Sequence, residues 1–253
     1  MPMTVKRLLM TLCAAAAAGL ALATALPMDF IHHGNFRRMV HTGDTQGVVA
    51  LAALPAETGR WGLGATAGLK GEIVQVDGRL LVSPGSDAQG RVRAPEAGEM
   101  ALLFAGARVA AWRDVPVPRD LDAAGFEAFL NEQAKALGLD PVQPFVFRVE
   151  GRFPHLLWHV VTGDAPAGAR HGSGHGAAHG AGHANDRAGM RLFRKPGAAG
   201  QLVGLASGAA LEGVVSHPGE RLHLHYVDAG ATVSGHVDRY SVAAGSVLKL
   251  PQR

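Results

Sequence analysis

The sequence predicts an α+β fold, in which mixed β-sheets form two packed halves with few helices. Three observations lead to this prediction. Short apolar runs alternate with glycines and other turn residues along most of the 253 residues, a single stretch has an extended helical spacing, and no flexible linker separates the two halves. A chain of this length can bury a core without the help of disulfides.

Residues 1–25 are typical of an export signal peptide. Lys6 and Arg7 supply the positive charge, Leu8 to Leu22 form an apolar, alanine-rich stretch, and Ala23-Thr24-Ala25 offers a cleavage site. The alternative is an uncleaved membrane anchor, because the apolar stretch is nearly long enough to span a bilayer. We predict cleavage, and therefore a periplasmic or secreted protein that no membrane segment retains.

The first predicted half covers residues 26–140 and consists mainly of strands. Its clearest signal is a β-hairpin, because two apolar runs at residues 72–76 and 79–82 flank Asp77-Gly78. Both residues of this pair tolerate the positive φ values of a type I′ turn. The run from Ala101 to Trp112 predicts a further strand.

One helix is predicted from Leu121 to Leu137, near the end of the first half. Apolar residues recur there at helical spacing, at positions 126, 129, 130 and 137. Gly138 suits the position that follows the last helical residue, because a helix commonly ends there in a left-handed conformation. Pro141 then prevents the helix from continuing.

The second predicted half covers residues 141–253 and again consists of strands. Strand-like runs occupy Phe145 to Val149 and Leu156 to Val161, and several more follow between Leu202 and Leu250. Residues 165–185 interrupt them with a glycine- and alanine-rich segment, which predicts a mobile loop. Four histidines recur in this loop at a strict four-residue spacing: His171, His175, His179 and His183. The loop is either a weak metal-capture segment or a tolerated surface insertion.

Charge and cysteine content exclude several classes of protein. Without Lys6 and Arg7, 22 basic and 21 acidic residues remain, which gives a net charge of +1. No dense basic stripe with interleaved aromatic residues occurs, so we expect no nucleic-acid partner. The single cysteine, Cys13, lies in the export signal, and the remaining chain can form neither a disulfide nor a thiolate metal site.

Three histidines of the C-terminal half form the sharpest functional pattern. His223 and His225 are two residues apart on a predicted strand and therefore project from the same face. A turn at residues 228–230 places His236 on the next, antiparallel strand. Three neutral imidazoles can hold Zn²⁺ and leave one coordination position open, as in catalytic zinc sites. The pattern thus predicts a metal site on strands of the C-terminal half.

The spacing alone leaves other interpretations open. A His-x-His pair also occurs on the solvated face of an edge strand, and a cupin-like barrel or another three-histidine enzyme would fit equally well. The metal is open too, because three imidazoles accept Zn²⁺, Cu²⁺, Ni²⁺ or Fe²⁺.

Several motifs together resemble the α-acetolactate decarboxylase family. The C-terminal motifs are Leu202-Val203-Gly204, His223-x-His225 and Gly235-His236-Val237. In the first half, Trp61-Gly62-Leu63-Gly64 followed by Gly68-Leu69-Lys70-Gly71-Glu72 is similar to the family's N-terminal segment. Phe147-Arg148-Val149-Glu150-Gly151-Arg152-Phe153 is similar to its central strand. The matches occur in the family's order and extend over roughly residues 34–250.

The resemblance implies a reaction and a role for each matching residue. It implies that His223, His225 and His236 ligate zinc, that Arg148 holds the substrate carboxylate, and that Glu72 is the acid/base group beside the metal. The implied activity is decarboxylation of 2-acetolactate, a small 2-hydroxy-3-oxo acid, to acetoin and CO₂. The resemblance implies no organic cofactor, and the sequence contains no Rossmann or P-loop motif.

The sequence also departs from the family pattern. Family members carry a second glutamate in a C-terminal tail, whereas no acidic residue follows Asp238 here. Ala65 stands where the family has a hydroxyl residue, with Thr66 one place away. The missing glutamate and the four-histidine loop motivate an alternative function, namely a catalytically weakened relative that binds metal or a small ligand without turnover. A third hypothesis keeps the metal site and changes the substrate to another 2-hydroxy-3-oxo acid.

Overall fold

A computed structural model describes residues 29–163, 186–187 and 189–252 of the chain. The predicted export signal at residues 1–25 and the histidine-rich segment at residues 165–185 therefore lie outside the described residues. Among the residues described, no helix is both long and apolar enough to cross a membrane.

The described residues of the first part of the chain form a six-stranded sheet. Its strands are β1 (Asp29–His33), β2 (Val49–Ala50), β3 (Arg60–Thr66), β4 (Gly71–Val76), β5 (Arg79–Pro84) and β6 (Met100–Arg108). They lie in the order β1-β6-β3-β4-β5, and β2 pairs with β6 as well. All these pairs are antiparallel.

A ten-stranded antiparallel sheet contains most of the remaining described residues. Its strands are β7 (Trp112–Pro116), β8 (Leu121–Asp122), β9 (Phe145–Phe153), β10 (Leu156–Val161), β11 (Asp186–Arg187), β12 (Met190–Arg194), β13 (Ala198–Ala206), β14 (Leu222–Asp228), β15 (Ser234–Val242) and β16 (Val247–Pro251). Their order is β11-β12-β10-β15-β14-β13-β9-β16-β7, and β8 pairs with β15. Two α-helices accompany the sheets within the described ranges: α1 (Phe36–Thr42) and α2 (Ala123–Ala136). The predicted fold class is confirmed, and the strand pairs of the described residues are antiparallel rather than mixed.

The predicted hairpin and helix are present because their signals are local. Asp77 and Gly78 have φ values of 50° and 86°, as a type I′ turn requires, and they connect β4 to β5. Helix α2 begins after Asp122, whose side chain accepts a hydrogen bond from the Gly125 N–H at 2.8 Å. Gly138 follows the helix in the left-handed conformation, with φ of 70°.

The apolar run from Ala101 to Trp112 is not one strand, contrary to the prediction. Strand β6 ends at Arg108, and β7 begins at Trp112 in the other sheet. The three residues between them carry the chain from one sheet to the other. Val109 is buried in this crossing and its N–H donates to the Gly59 carbonyl at 2.8 Å. Ala110 and Ala111 of the crossing are exposed, so its apolar composition resembles a strand in sequence although only Val109 packs into the core.

The two sheets and α2 share one core. Its fully buried large residues include Leu63, Phe126, Leu130, Phe147, Leu202, Leu205, Tyr226 and Leu248. A smaller cluster covers the opposite side of the first sheet, with Leu51, Leu54, Ile73, Val82 and Phe104 as members. Neighbouring residues of β4 therefore point to different clusters, as side chains of a strand must. Val74 joins the shared core, so Glu72, two residues before it, also points toward the second sheet.

Candidate metal centre

The three predicted ligands meet on β14 and β15. His223 and His225 lie on one face of β14, and His225 is the direct pairing partner of His236 on β15. One imidazole nitrogen from each residue lies within 4.8 Å of the other two. His223 and His225 are buried, and His236 is partly exposed. The predicted turn, strand pairing and shared face are thus all present, and the group could hold a metal ion.

Burial keeps the three imidazoles neutral. It lowers the pKa of His223 to about 4 and the pKa values of His225 and His236 well below their usual range. The Nδ1 atom of His223 lies 2.8 Å from the Val215 carbonyl oxygen. Because a carbonyl can only accept, Nδ1 carries the proton and Nε2 keeps a lone pair.

These histidines fit a divalent metal ion. The buried Nε2 atom of His225 has no hydrogen-bond partner within the described residues, which is costly for a polar atom unless something binds there. A neutral imidazole nitrogen is a good ligand for Zn²⁺ and other first-row divalent ions. Metal-ligating histidines usually donate a hydrogen bond from the ring nitrogen that does not bind the metal, and this bond orients the ring. The contact between Nδ1 of His223 and the Val215 carbonyl is of this kind.

Glu72 approaches the same centre from the first sheet. Its Oε2 atom lies 3.6 Å from the Nε2 atom of His225, and Oε1 accepts a hydrogen bond from the Val161 N–H at 3.4 Å. The carboxyl group is buried, with 5% of the side chain exposed. This burial raises its pKa to about 8, so the group holds a proton at neutral pH in the metal-free protein.

A cavity that is partly open to solvent borders Glu72, His223 and His236. Its apolar walls come from α1, the first sheet and β12, and include Phe36, Met39, Leu69, Leu102, Leu103 and Met190. The polar residues lining it are Glu72, His159, His217, His223 and His236, and none of the lining residues described is Lys or Arg. The cavity could hold a small molecule of mixed apolar and polar character against the metal position.

Arg148 lies on the same sheet face as His225 but apart from the cavity. Each of the two residues pairs with Val203, so two strand spacings, about 10 Å, separate their backbones. The Arg148 guanidinium stacks on Trp61, 3.7 Å from the ring centroid, and forms an ion pair with Glu150. The structure therefore brings Glu72 to the three histidines, whereas Arg148 lies two strands away from His225 and does not line the cavity.

Two further histidines line the cavity and were not predicted from the sequence. The His159 ring centroid lies 4.9 Å from that of His236, and the His217 ring centroid lies 5.4 Å from the same ring. His159 also contacts Asp238, whose two carboxylate oxygens are both 3.0 Å from its Nδ1 atom. Strand pairing brings His159 to the site, and a connecting loop brings His217. The sequence therefore offers no local spacing that would indicate either residue.

Comparisons with known proteins give a fold but no close relative. No protein-family model matches the chain, and no curated protein matches it in sequence. Solved structures do match. The α-acetolactate decarboxylase of Bacillus subtilis strain 168 superposes with a TM-score of 0.68 at 17% identity, over 89% of this chain and 86% of that one. The chain has the α-acetolactate decarboxylase fold.

Two more solved structures agree with that result. The acetolactate decarboxylase of Bacillus subtilis subspecies spizizenii gives a TM-score of 0.68 at 17% identity, over 89% of this chain and 87% of that one. A Staphylococcus aureus protein of unknown function, described as similar to α-acetolactate decarboxylase, gives 0.67 at 15% identity, over 88% and 85%. At these identities the likeness concerns the fold, and the chemistry must be argued from the residues of this chain.

Proposed function

We propose that this protein is a metal-dependent carboxy-lyase that converts 2-acetolactate to acetoin and CO₂. The observation that carries the proposal is the convergence of three neutral histidines and a buried glutamate on one centre that borders a small cavity, in a chain with the acetolactate decarboxylase fold. The resident ion we propose is Zn²⁺, although the same three imidazoles also suit other divalent metals.

The proposed substrate class is a 2-hydroxy-3-oxo acid. Such a molecule has neighbouring hydroxyl and ketone oxygens, which suit an ion held by three protein ligands with positions left open. A bound divalent ion would act as a Lewis acid and stabilise the electron pair left behind when CO₂ departs. His223, His225 and His236 would hold that ion.

Glu72 is the residue we propose to handle the proton. Its carboxyl group is buried and faces the histidines from the opposite sheet, 3.6 Å from the nearest imidazole nitrogen, a position from which it would deliver a proton to a bound substrate. After CO₂ leaves, this proton would pass to the carbon that carried the carboxylate. Delivery from one fixed side would give one enantiomer of acetoin. The apolar walls, among them Leu102 and Leu103, would limit the access of water.

Arg148 is our proposed partner for the substrate carboxylate, as the family resemblance implies. A guanidinium can bind a carboxylate through two parallel hydrogen bonds. In this chain the group already contacts Trp61, Glu150 and Gln201. Binding a substrate carboxylate would therefore require Arg148 to turn away from Glu150 toward the cavity.

The position of Arg148 favours a second candidate function. If its guanidinium stays stacked on Trp61, no Lys or Arg among the described lining residues offers its charge to a substrate carboxylate. The protein would then bind a metal ion, or a metal ion with a small ligand, without turnover.

The test is acetoin formation from racemic acetolactate by the purified protein, first freed of metal and then loaded with Zn²⁺. We expect turnover only with metal, and its loss in His225→Ala and Glu72→Gln. The first variant should also lose bound zinc, whereas the second should retain it. His155→Ala is the matched control, because His155 is an exposed histidine at the start of β10 and lies outside the cavity.

The outcomes separate the two candidates. Zinc bound at one ion per chain without acetoin formation would favour the binding protein. Failure to bind any divalent ion would contradict both. Acetoin formation that survives both His225→Ala and Glu72→Gln would show that the reaction occurs elsewhere in the molecule.

We also propose that the protein is exported to the periplasm or secreted. The proposal is supported by residues 1–25 alone, which lie outside the described residues. Sequencing the N-terminus of protein recovered from the periplasmic or culture fraction tests it, and we expect the chain to start at Leu26. An intact Met1 in a membrane fraction would instead indicate an uncleaved anchor.

A further inference from the structure

The two carboxyl oxygens of Glu72 have different surroundings. Oε2 faces the metal ligands, 3.6 Å from the Nε2 atom of His225. Oε1 accepts a hydrogen bond from the Val161 N–H at 3.4 Å and lies 4.0 Å from the Nε2 atom of His159. His159 is buried, with 6% of its surface exposed. Strand β10 thus contacts one oxygen of Glu72, while the other oxygen faces His225.

Asp238 fixes the orientation of the His159 ring. Both of its carboxylate oxygens lie 3.0 Å from the Nδ1 atom of His159. Carboxylate oxygens accept hydrogen bonds, so Nδ1 is the donor of this contact and carries the proton. The opposite edge of the ring, with Nε2, is thereby directed toward Glu72.

A β-bulge places Asp238 in this position. Strands β10 and β15 pair His159 with His236 and Trp158 with Val237, but the next pair is Leu157 with Arg239. The register therefore skips Asp238, which is an extra residue on β15. Bulges re-aim a side chain relative to a regular strand and are frequent next to active sites. Here the bulge brings the carboxylate alongside the neighbouring strand's histidine.

We propose that His159 and Asp238 are positioning residues that orient the Glu72 carboxyl toward the metal position. The inference rests on the proposed function, in which Glu72 delivers a proton to one side of the reacting carbon. Three elements would hold Glu72: its own strand β4, the Val161 N–H and the His159 ring. Asp238 acts through His159, because its oxygens contact that ring rather than Glu72.

The principal test compares Asp238→Asn with Asp228→Asn. At position 238 an amide would donate to Nδ1 of His159 and move the ring proton to Nε2, with almost no change of volume. Asp228 is the matched control, because its carboxylate accepts hydrogen bonds in the turn after β14 and lies outside the cavity. We expect Asp238→Asn to lower kcat about 10- to 100-fold, the range found for groups that orient metal-site residues, with KM within about twofold of the wild type. The acetoin formed should also lose enantiomeric purity.

His159→Gln is the second variant, since it leaves β15 and its ligand His236 untouched. Both variants are loaded with Co²⁺, and their visible absorption spectra are compared with those of the wild type and of Glu72→Gln. We expect one Co²⁺ per chain in every case. The spectra of Asp238→Asn and His159→Gln should shift toward that of Glu72→Gln, while Asp228→Asn should match the wild type. A merely structural loss would lower the folded fraction without producing this shared shift.

The two readouts distinguish failure of this inference from failure of the proposed function. If the wild type makes acetoin, unchanged kcat and enantiomeric purity in Asp238→Asn overturn the positioning role. If the wild type makes none, the proposed function fails and the Co²⁺ spectra decide. A shared shift then supports the orientation of Glu72 by His159 and Asp238, and spectra identical to the wild type overturn it.

Discussion

The stability of the metal-free protein should fall steeply between pH 6.5 and pH 5. An ordinary histidine in the unfolded chain takes up a proton near pH 6.5, whereas His223 in the folded protein stays neutral down to about pH 4 because it is buried. The unfolded state therefore binds more protons in this range, and acidification favours unfolding. With about 1.36 kcal/mol per pH unit, His223 alone costs about 2 kcal/mol between pH 6.5 and pH 5.

The other titratable groups of the centre change the free energy of unfolding in opposite directions. Burial lowers the pKa values of His225 and His236 well below their usual range, so each adds a loss in the same direction. Glu72 opposes them, because its pKa rises from 4.5 to about 8 and the folded state holds a proton that the unfolded state lacks. That proton returns about 2 kcal/mol over the same interval, which offsets one of the three histidines and leaves a net loss of stability.

The assay is urea unfolding of chelator-treated protein at pH 6.5 and pH 5. The interval stops at pH 5 so that Asp87, Glu99 and Asp228, whose pKa values are lowered by their hydrogen-bond partners, remain ionised. His225→Ala should reduce the loss, and His155→Ala, which removes an exposed histidine outside the site, is the matched control. A free energy of unfolding that is equal or larger at pH 5 would refute the reasoning.

Two further predictions concern the sheet that carries the site. Gly204→Ala on β13 should destabilise the protein by about 1–3 kcal/mol, because the new Cβ would lie 2.4 Å from the Phe147 ring. Urea unfolding measures this, and Phe147→Leu in the same chain should recover part of the loss. Arg148→Met should lower stability by about 1–2 kcal/mol, because the stack on Trp61 is lost. The amount of bound zinc, measured by elemental analysis, should stay the same. Loss of zinc in that variant would contradict the separation of Arg148 from the histidines.

The sequence allowed prediction of features that depend on neighbouring residues. The β4–β5 hairpin follows from Asp77-Gly78, and the end of α2 follows from Gly138, because both require positive φ at a fixed position. The three metal-site histidines were predictable for a related reason. Two of them share a strand face, and the third follows after a tight turn, so local geometry alone brings them together.

Other parts of the site depend on contacts between distant segments. The crossing at residues 109–111 has the apolar composition of a strand, and only the tertiary structure separates it from β6. His159 reaches the site through the pairing of β10 with β15, and Asp238 contacts it through a shift in register that alternation along the strand does not predict. The stacking of Arg148 on Trp61 joins residues 87 positions apart in the sequence, and no sequence pattern links them.

The proposed proton donor and the metal ligands come from different sheets, so their separation depends on the packing between the sheets. Glu72 is fixed to β4, and the histidines are fixed to β14 and β15. The shared core, to which Leu63 and Val74 contribute from the first sheet, sets how closely the two sheets approach. Loosening that core would move Glu72 relative to His225 without touching either residue. Close packing between the sheets is therefore a condition for the proposed chemistry as well as for stability.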